Sequence, residues 1–320
     1  TLFKNLVQLP AACVATIDNQ TNKYTIERYW DYCVQEDASI DSIEKAVEGL
    51  DQHLNRVFSK IDVTKYYVMG MSGGMDSRIT LAYLSKYLAK ENLVLFTYGF
   101  DERILEYKYA KEMAESLGFN PPVFHKLTPD SYKKALEYLP VKSGGQIGIN
   151  HCHMIDFFKS NNVSDKLNLS TYFTDALLGW ECSENQQVNP NPYLKLLQNN
   201  SFVPTSIKEQ IELDTQQLFS SFNLNSNISS IDEYKYISER NQKFHTYLSF
   251  IQDDYISSVN PYLDFDLFQY CLSMQRKYRA NKKIIDDVLE LKFKNISSRD
   301  FKNISSRFQW GADFSGKLEF

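Results

Sequence analysis

From residue 43 to residue 61 the apolar positions Ile43, Ala46, Val47, Leu50, Leu54, Val57, Phe58 and Ile61 fall three or four residues apart. That spacing predicts one buried stripe on a helix, capped by Ser42 and running to about Lys60. Upstream, residues 12–17 and 24–30 are two strand-like runs separated by the polar turn 18–22, which predicts a β-hairpin. A polar stretch at 35–41 reads as a linker. From Tyr66 the pattern becomes strand alternating with helix. Strands are predicted at 66–71, 93–98, 123–127 and 166–170, and helices at 77–88, 106–117, 130–139 and 150–159. This alternation implies an α/β fold, a parallel sheet with helices on both faces. After Glu181 no further strand is expected. Helical patterns at 207–222, 231–256, 264–274 and 282–293 predict a C-terminal α-helical region beside the sheet. Residues 293–299 recur at 301–307, a repeat too short for a solenoid.

Composition narrows the picture only slightly. The 320 residues are 43% hydrophobic, enough for a real core, and carry a net charge of -5. That charge gives no electrostatic case for nucleic acid or a membrane surface, and no apolar run approaches a membrane span. The five scattered cysteines form no CxxC pair, which fits a reduced, cytoplasmic protein. The first residue is Thr1, which suggests that residues were removed upstream.

The chemistry concentrates in Ser72-Gly73-Gly74-Met75-Asp76-Ser77, between the first parallel strand and its helix. A doubly wound sheet binds phosphates at that point. Backbone N–H groups and a helix N-terminus make an anion site, glycines permit close approach, and the hydroxyls of Ser72 and Ser77 add donors. An aspartate in such a loop makes sense when Mg²⁺ lies between it and the phosphates. The string is neither a Walker A loop nor GxGxxG.

This loop resembles the pyrophosphate loop of the ATP-pyrophosphatase (PP-loop) superfamily. Three further segments are similar to its asparagine synthetase-like branch: Leu2-Phe3-Lys4-Asn5 to Leu9-Pro10 with Tyr29-Trp30; Tyr98-Gly99-Phe100-Asp101-Glu102 with Tyr109-Ala110; and Pro261-Tyr262-Leu263-Asp264. The resemblance implies an adenine nucleotide alpha hydrolase-like (HUP) fold. It also implies an ATP-dependent, AMP-forming carbon–nitrogen ligase that uses ATP and Mg²⁺. Residues 1–38 would be the end of a glutaminase-like domain and its linker, and 39–320 the synthetase domain. Gly70 and Tyr98 would present backbone groups to adenine. Ser72, Gly73, Gly74, Asp76 and Ser77 would hold pyrophosphate, with Thr171 also at the nucleotide. Asp76 and Asp175 would ligate Mg²⁺. The partners implied are a small carboxylate and an amine or ammonia donor, with an upstream glutaminase domain and an oligomer both possible.

The chain departs from the family where the carboxylate reacts. Gly-Glu-Gly-Ser-Asp-Glu of the family falls on residues 171–176, so Tyr172 takes the catalytic glutamate's place. β-Lactam synthetases resemble this chain in having a tyrosine there, paired with a glutamate. Tyr172 is open to two readings, a proton relay whose pKa a neighbouring base lowers, or a strand-end aromatic. The dyad's glutamate position falls on Ser257, with Glu181 and Glu184 as substitutes. The late lysine's place falls at 305–311, where Arg307 is the nearest cation. Lys282-Lys283 reads as a solvated helix start, although the family resemblance implies that basic residues near there can face the site; His125 reads as a packed histidine, and His151-Cys152-His153 as unsuited to zinc because i and i+2 diverge on a helix. Asparagine synthesis, an intramolecular cyclase and a non-catalytic ATP-binding module all remain candidates.

Overall fold

Strand and helix alternate after Tyr66 and build one parallel sheet. The computed structural model describes residues 8–30, 36–179, 182, 203–220, 233, 236–293 and 296. Strands β3 (Tyr66–Gly70), β4 (Leu93–Gly99), β5 (Val123–Lys126), β6 (Lys166–Leu169) and β7 (Ser258–Val259) lie in the order β5-β4-β3-β6-β7, all parallel. The chain runs outward from β3 to β5 and then crosses back to β6. The strand order therefore reverses beside β3, and there the carboxyl ends of β3 and β6 open a crevice.

The element that fixes this geometry is helix α2 (Met75–Leu84). It starts directly after the glycine-rich loop, with Gly74 as its cap residue, and nine of its ten residues are buried. It packs against helix α1 (Ile43–Phe58) and the helix Lys283–Lys292, which also pack against each other. α1 has the stripe its spacing predicts. Ala46, Val47, Leu50, Leu54, Val57 and Phe58 are buried, and the Ser42 side chain accepts the Lys45 N–H at 3.2 Å. Each large apolar side chain removed from water there contributes about 1.5–3 kcal/mol. Two side-chain hydrogen bonds pin α2 sideways: the buried hydroxyl pair Thr80 Oγ1 and Tyr262 OH at 2.7 Å, and Tyr83 OH donating to the Asp51 carboxylate at 2.6 Å. Helices α3 (Leu105–Ser116), α4 (Pro129–Lys142) and α5 (His153–Ser160) connect the remaining strands.

The hairpin forms from β1 (Cys13–Asp18) and β2 (Lys23–Arg28), paired antiparallel from Cys13↔Arg28 to Asp18↔Lys23. Almost all of it is exposed, and Trp30 packs against Phe265 and Phe268 at its base. Two expectations for the second half need correcting. A strand does occur after Glu181. The two-residue β7 pairs with β6, and its neighbouring carbonyls on Ser257 and Val259 accept the Asn168 and Ser170 N–H groups at 2.9 Å. Two residues cannot show an alternating pattern, so the sequence holds no sign of it. The helix expected at 231–256 is instead a wide-turn π-helix, Tyr236–His245, followed by an α-helix, Thr246–Asp253. Among the described residues no helix is long and apolar enough to cross a membrane.

Candidate functional site

The loop after β3 is held by its own side chains. Ser77 Oγ donates to the Ser72 carbonyl at 2.7 Å, and Ser72 Oγ accepts the Gly74 N–H at 3.1 Å. Arg78 is buried and donates through Nε and Nη2 to the Gly73 carbonyl at 2.9 and 2.7 Å. Gly73 passes close to α3, where an added Cβ would make a tight contact 3.2 Å from Tyr109 Cβ. Met71 N–H donates to the Phe96 carbonyl and Thr97 Oγ1 to the Met71 carbonyl, so the loop leaves the sheet only after residue 71. The first turn of α2 thus points its N-terminus into the crevice, where dipole and N–H groups favour an anion.

Asp76 and Asp175 meet at one point, and the group between them is Lys282. Its Nζ lies 2.7 and 2.6 Å from the two Asp76 oxygens and bonds to Asp175 Oδ1. Lys282 is 5% exposed, against 27% for Asp76 and 29% for Asp175, so the ammonium sits beneath two carboxylates that face the opening. Burial, opposed by Lys282 and reinforced by Asp175, lifts Asp76 to about 7. Burial also works against the Lys282 charge, but the two carboxylates outweigh it and raise its pKa. The expectation that Lys282 sits on a solvated helix start is therefore wrong. Asn281 and Lys282 are two consecutive left-handed residues, φ 54° and 60°, just before the helix Lys283–Lys292. That backbone is strained and turns Lys282 inward. Lys283 remains at the surface, 2.7 Å from Asp287.

Gly179 permits this approach. Its φ is +87°, and a Cβ there would lie 2.3 Å from the Arg279 carbonyl oxygen. The stretch after Asp175 therefore touches the stretch before Lys282 through bare backbone. Gly179→Ala is expected to cost about 2–4 kcal/mol in urea unfolding. A loss under about 0.5 kcal/mol would contradict this close approach.

Tyr98, next to last in β4, stacks on His153, ring centroids 3.9 Å apart. Burial pushes the Tyr98 hydroxyl up, and Glu106 in the first turn of α3 adds to this. Tyr172 follows β6. Its backbone N–H donates to Ser170 Oγ and its carbonyl accepts from Asn260 Nδ2 at 2.8 Å. Gln252 Nε2 donates to its hydroxyl at 2.8 Å, the hydroxyl donates to Met154 Sδ at 3.3 Å, and His245 stacks on its ring. Burial holds the hydroxyl above its ordinary value, with the Gln252 hydrogen bond acting the other way. Among the described residues no carboxylate is bonded to it; Ser257 holds β6 through its backbone. Thr171 supplies the carbonyl that receives Thr174 Oγ1 at 2.7 Å, shaping the turn into α6 (Thr174–Leu177). Phe173 there has φ 81°, where the family pattern has glycine. His125 is half-buried, bonded to Asp156 Oδ2 at 3.0 Å. Gly70 closes β3 opposite Phe96. Arg307, Glu181 and Glu184 lie outside the described residues.

The Pro261–Asp264 motif is architectural. Asp264 caps the helix Phe265–Ser273 by accepting Leu267 N–H at 3.0 Å, and it binds Arg56 through both carboxylate oxygens. Burial opposes its charge, but Arg56, the Leu267 N–H and Lys60 bring its pKa down to about 2. A depressed carboxylate gives stability that is whole above its unfolded value of 3.8 and vanishes as pH falls through about 2. Asp264→Asn keeps the cap, so it should cost ~2 kcal/mol at neutral pH and almost nothing near the lower limit. Urea unfolding of both proteins across that range measures this, and a constant difference would count against it.

The asparagine synthase family model matches residues 64–141, less than half of the chain. No curated protein matches. Among solved structures the chain is similar to the NH3-dependent NAD synthetase from Campylobacter jejuni subsp. jejuni NCTC 11168 in complex with the nitrate ion, at 14% identity. That match covers 43% of this chain and 59% of the synthetase, under two thirds of its length, with a TM-score of 0.30. It is also similar to the U34-tRNA thiolase NcsA from Methanococcus maripaludis with its 4Fe-4S cluster, at 13% identity. There 83% of this chain and 81% of the other are covered, with a TM-score of 0.27. The segment matched by the asparagine synthase model holds Gly70, the whole loop from Ser72 to Ser77, and Tyr98, while Tyr172, Asp175 and Lys282 fall beyond it.

Proposed function

We propose that this chain is an ATP-dependent synthetase that forms an amide bond through an acyl-adenylate, releasing AMP and pyrophosphate in the manner of asparagine synthetases. The observation that carries the reading is the meeting of Asp76 and Asp175 over Lys282, beside a phosphate-type loop at the point where strand order reverses. The asparagine synthase match over that loop supports ATP as the nucleotide. A carboxylate substrate would attack the α-phosphorus. The loop N–H groups, the α2 N-terminus and the Lys282 ammonium would take up charge on the departing pyrophosphate. Mg²⁺ fits the donors, since hard cations of this kind favour carboxylate oxygens and two are presented together. Asp76 and Asp175 would hold it, and it would supply neutralisation of phosphate charge. Lys282 binds the same oxygens, so its share of them would fall as the ion binds.

The test is exchange of labelled pyrophosphate into ATP, with candidate carboxylates supplied one at a time and AMP measured alongside. Carboxylate-dependent exchange is expected. Mg-ATP binding without exchange for any carboxylate would favour a non-catalytic module instead. An intramolecular cyclase is a second reading, favoured by Tyr172 in the glutamate's place. A product of the same mass as the substrate less one water would identify it.

A further inference from the structure

The oxygens that would hold a divalent ion are oxygens that the Lys282 ammonium already binds. Nζ meets both oxygens of Asp76, at 2.7 and 2.6 Å, and Oδ1 of Asp175. An ammonium has three donors, and three carboxylate oxygens receive them. The lysine side chain is 5% exposed, so it has little water to retreat into. Its backbone is held as well. Asn281 and Lys282 are both left-handed, and the helix Lys283–Lys292 begins at the next residue. Arg78 is also near: burial works against its charge, while Asp286 and Asp76 support it. Its Nε and Nη2, however, are given to the Gly73 carbonyl. The bonded counter-ion of the two aspartates is therefore Lys282.

A bare divalent ion that approaches this pair meets a like charge fixed on the same oxygens. To bind, it must push the ammonium aside, break charge-assisted bonds and shed part of its own water. Mg²⁺ gives up water reluctantly, which makes the exchange harder still. The phosphates of a nucleotide change the balance. They offer the ion further oxygen ligands and give the displaced ammonium new acceptors. We propose that Lys282 bars free divalent ions from Asp76 and Asp175, so that metal enters only together with the phosphates of its nucleotide. The second half rests on the nucleotide reading; the barring of the bare ion rests on this chain's own contacts. The same ammonium keeps the two carboxylates together while the site waits. Burial already disfavours the Asp76 charge and the neighbouring Asp175 adds to this, so the pair needs a resident cation. Lys282 serves as that cation without a metal, which accounts for a lysine turned inward by a strained backbone.

Mn²⁺ is the probe, with the free ion followed by electron paramagnetic resonance as it is titrated into the whole chain without nucleotide. Lys282→Met keeps the apolar stem and removes the charge. It should bind Mn²⁺ about tenfold more tightly than the parent, or better. The parent should take up almost none at the concentration that half-saturates the variant. Thermal melting gives a second readout. Mg²⁺ should raise the melting temperature of Lys282→Met, because the ion replaces the lost cation, and should hardly move that of the parent. If Lys282→Met fails to fold without metal, a cooperative melt regained with Mg²⁺ but not with Na⁺ supports the same conclusion. No gain of Mn²⁺ affinity in the variant would overturn the proposal. So would tight Mn²⁺ binding by the parent without nucleotide, or an equal Mg²⁺ effect on both melts. Calorimetry of the parent with Mg-ATP separates the two readings. A gain of Mn²⁺ affinity in Lys282→Met with no Mg-ATP binding by the parent sinks the nucleotide assignment and leaves the barring of the bare ion standing. Mg-ATP binding with equal Mn²⁺ affinities does the reverse.

Discussion

Asp76→Ala should lower carboxylate-dependent pyrophosphate release by about 10²–10³-fold or more while leaving the fold in place. Asp76 stands at the head of α2, on the crevice side, with both oxygens bonded to the Lys282 ammonium. Removing it takes away one of two carboxylates and leaves Lys282 with Asp175 alone. The remaining pair is still balanced, and the burial that works against the Asp76 charge is set against the support that the same carboxylate gives Lys282. Urea stability should therefore hold roughly steady as activity disappears. Asp175→Ala should behave alike. Undiminished pyrophosphate release in either variant would refute the assignment. A collapse of stability in both would mean that the cluster serves the fold.

Arg279→Ala should destabilise the protein by about 3–5 kcal/mol, the largest loss expected from any single change. Arg279 is 1% exposed and its partner Glu233 is 3% exposed, joined by bonds of 2.5 and 3.1 Å. Truncating the arginine strands a carboxylate in a place water does not reach. The double change Arg279→Met with Glu233→Leu removes both charges and should recover most of the loss, because a buried pair is seldom better than well-packed apolar groups. Urea unfolding of the single and double variants decides the matter. Losses under about 1 kcal/mol for both single changes would show that the pair is solvated in practice.

Particular residues show how far the sequence could be read. The stripe on α1, the strands around the loop and the loop itself were all legible, because each depends on short-range spacing. Asp76 and Asp175 were found through motif matching and do come together. Lys282 was missed because its burial depends on a strained backbone at Asn281 and on Gly179, about a hundred residues earlier, letting its segment in. Neither leaves a periodic trace. Tyr172 was found as a position, but its surroundings were not, since Gln252 and His245 arrive from helices far along the chain. β7 escaped because two residues paired to one neighbour carry no pattern. Asp264 was matched as part of a family motif, and only the contacts with Arg56 and Leu267 reveal that its work is architectural.

Lys282 answers to two carboxylates that enter from opposite flanks of the crevice, and it opens the helix that covers α2. A cationic ligand that drew those carboxylates toward itself would loosen the anchor of that helix. By thermodynamic reciprocity, any change that seats the helix more firmly on the two aspartates must weaken such a ligand by the same factor.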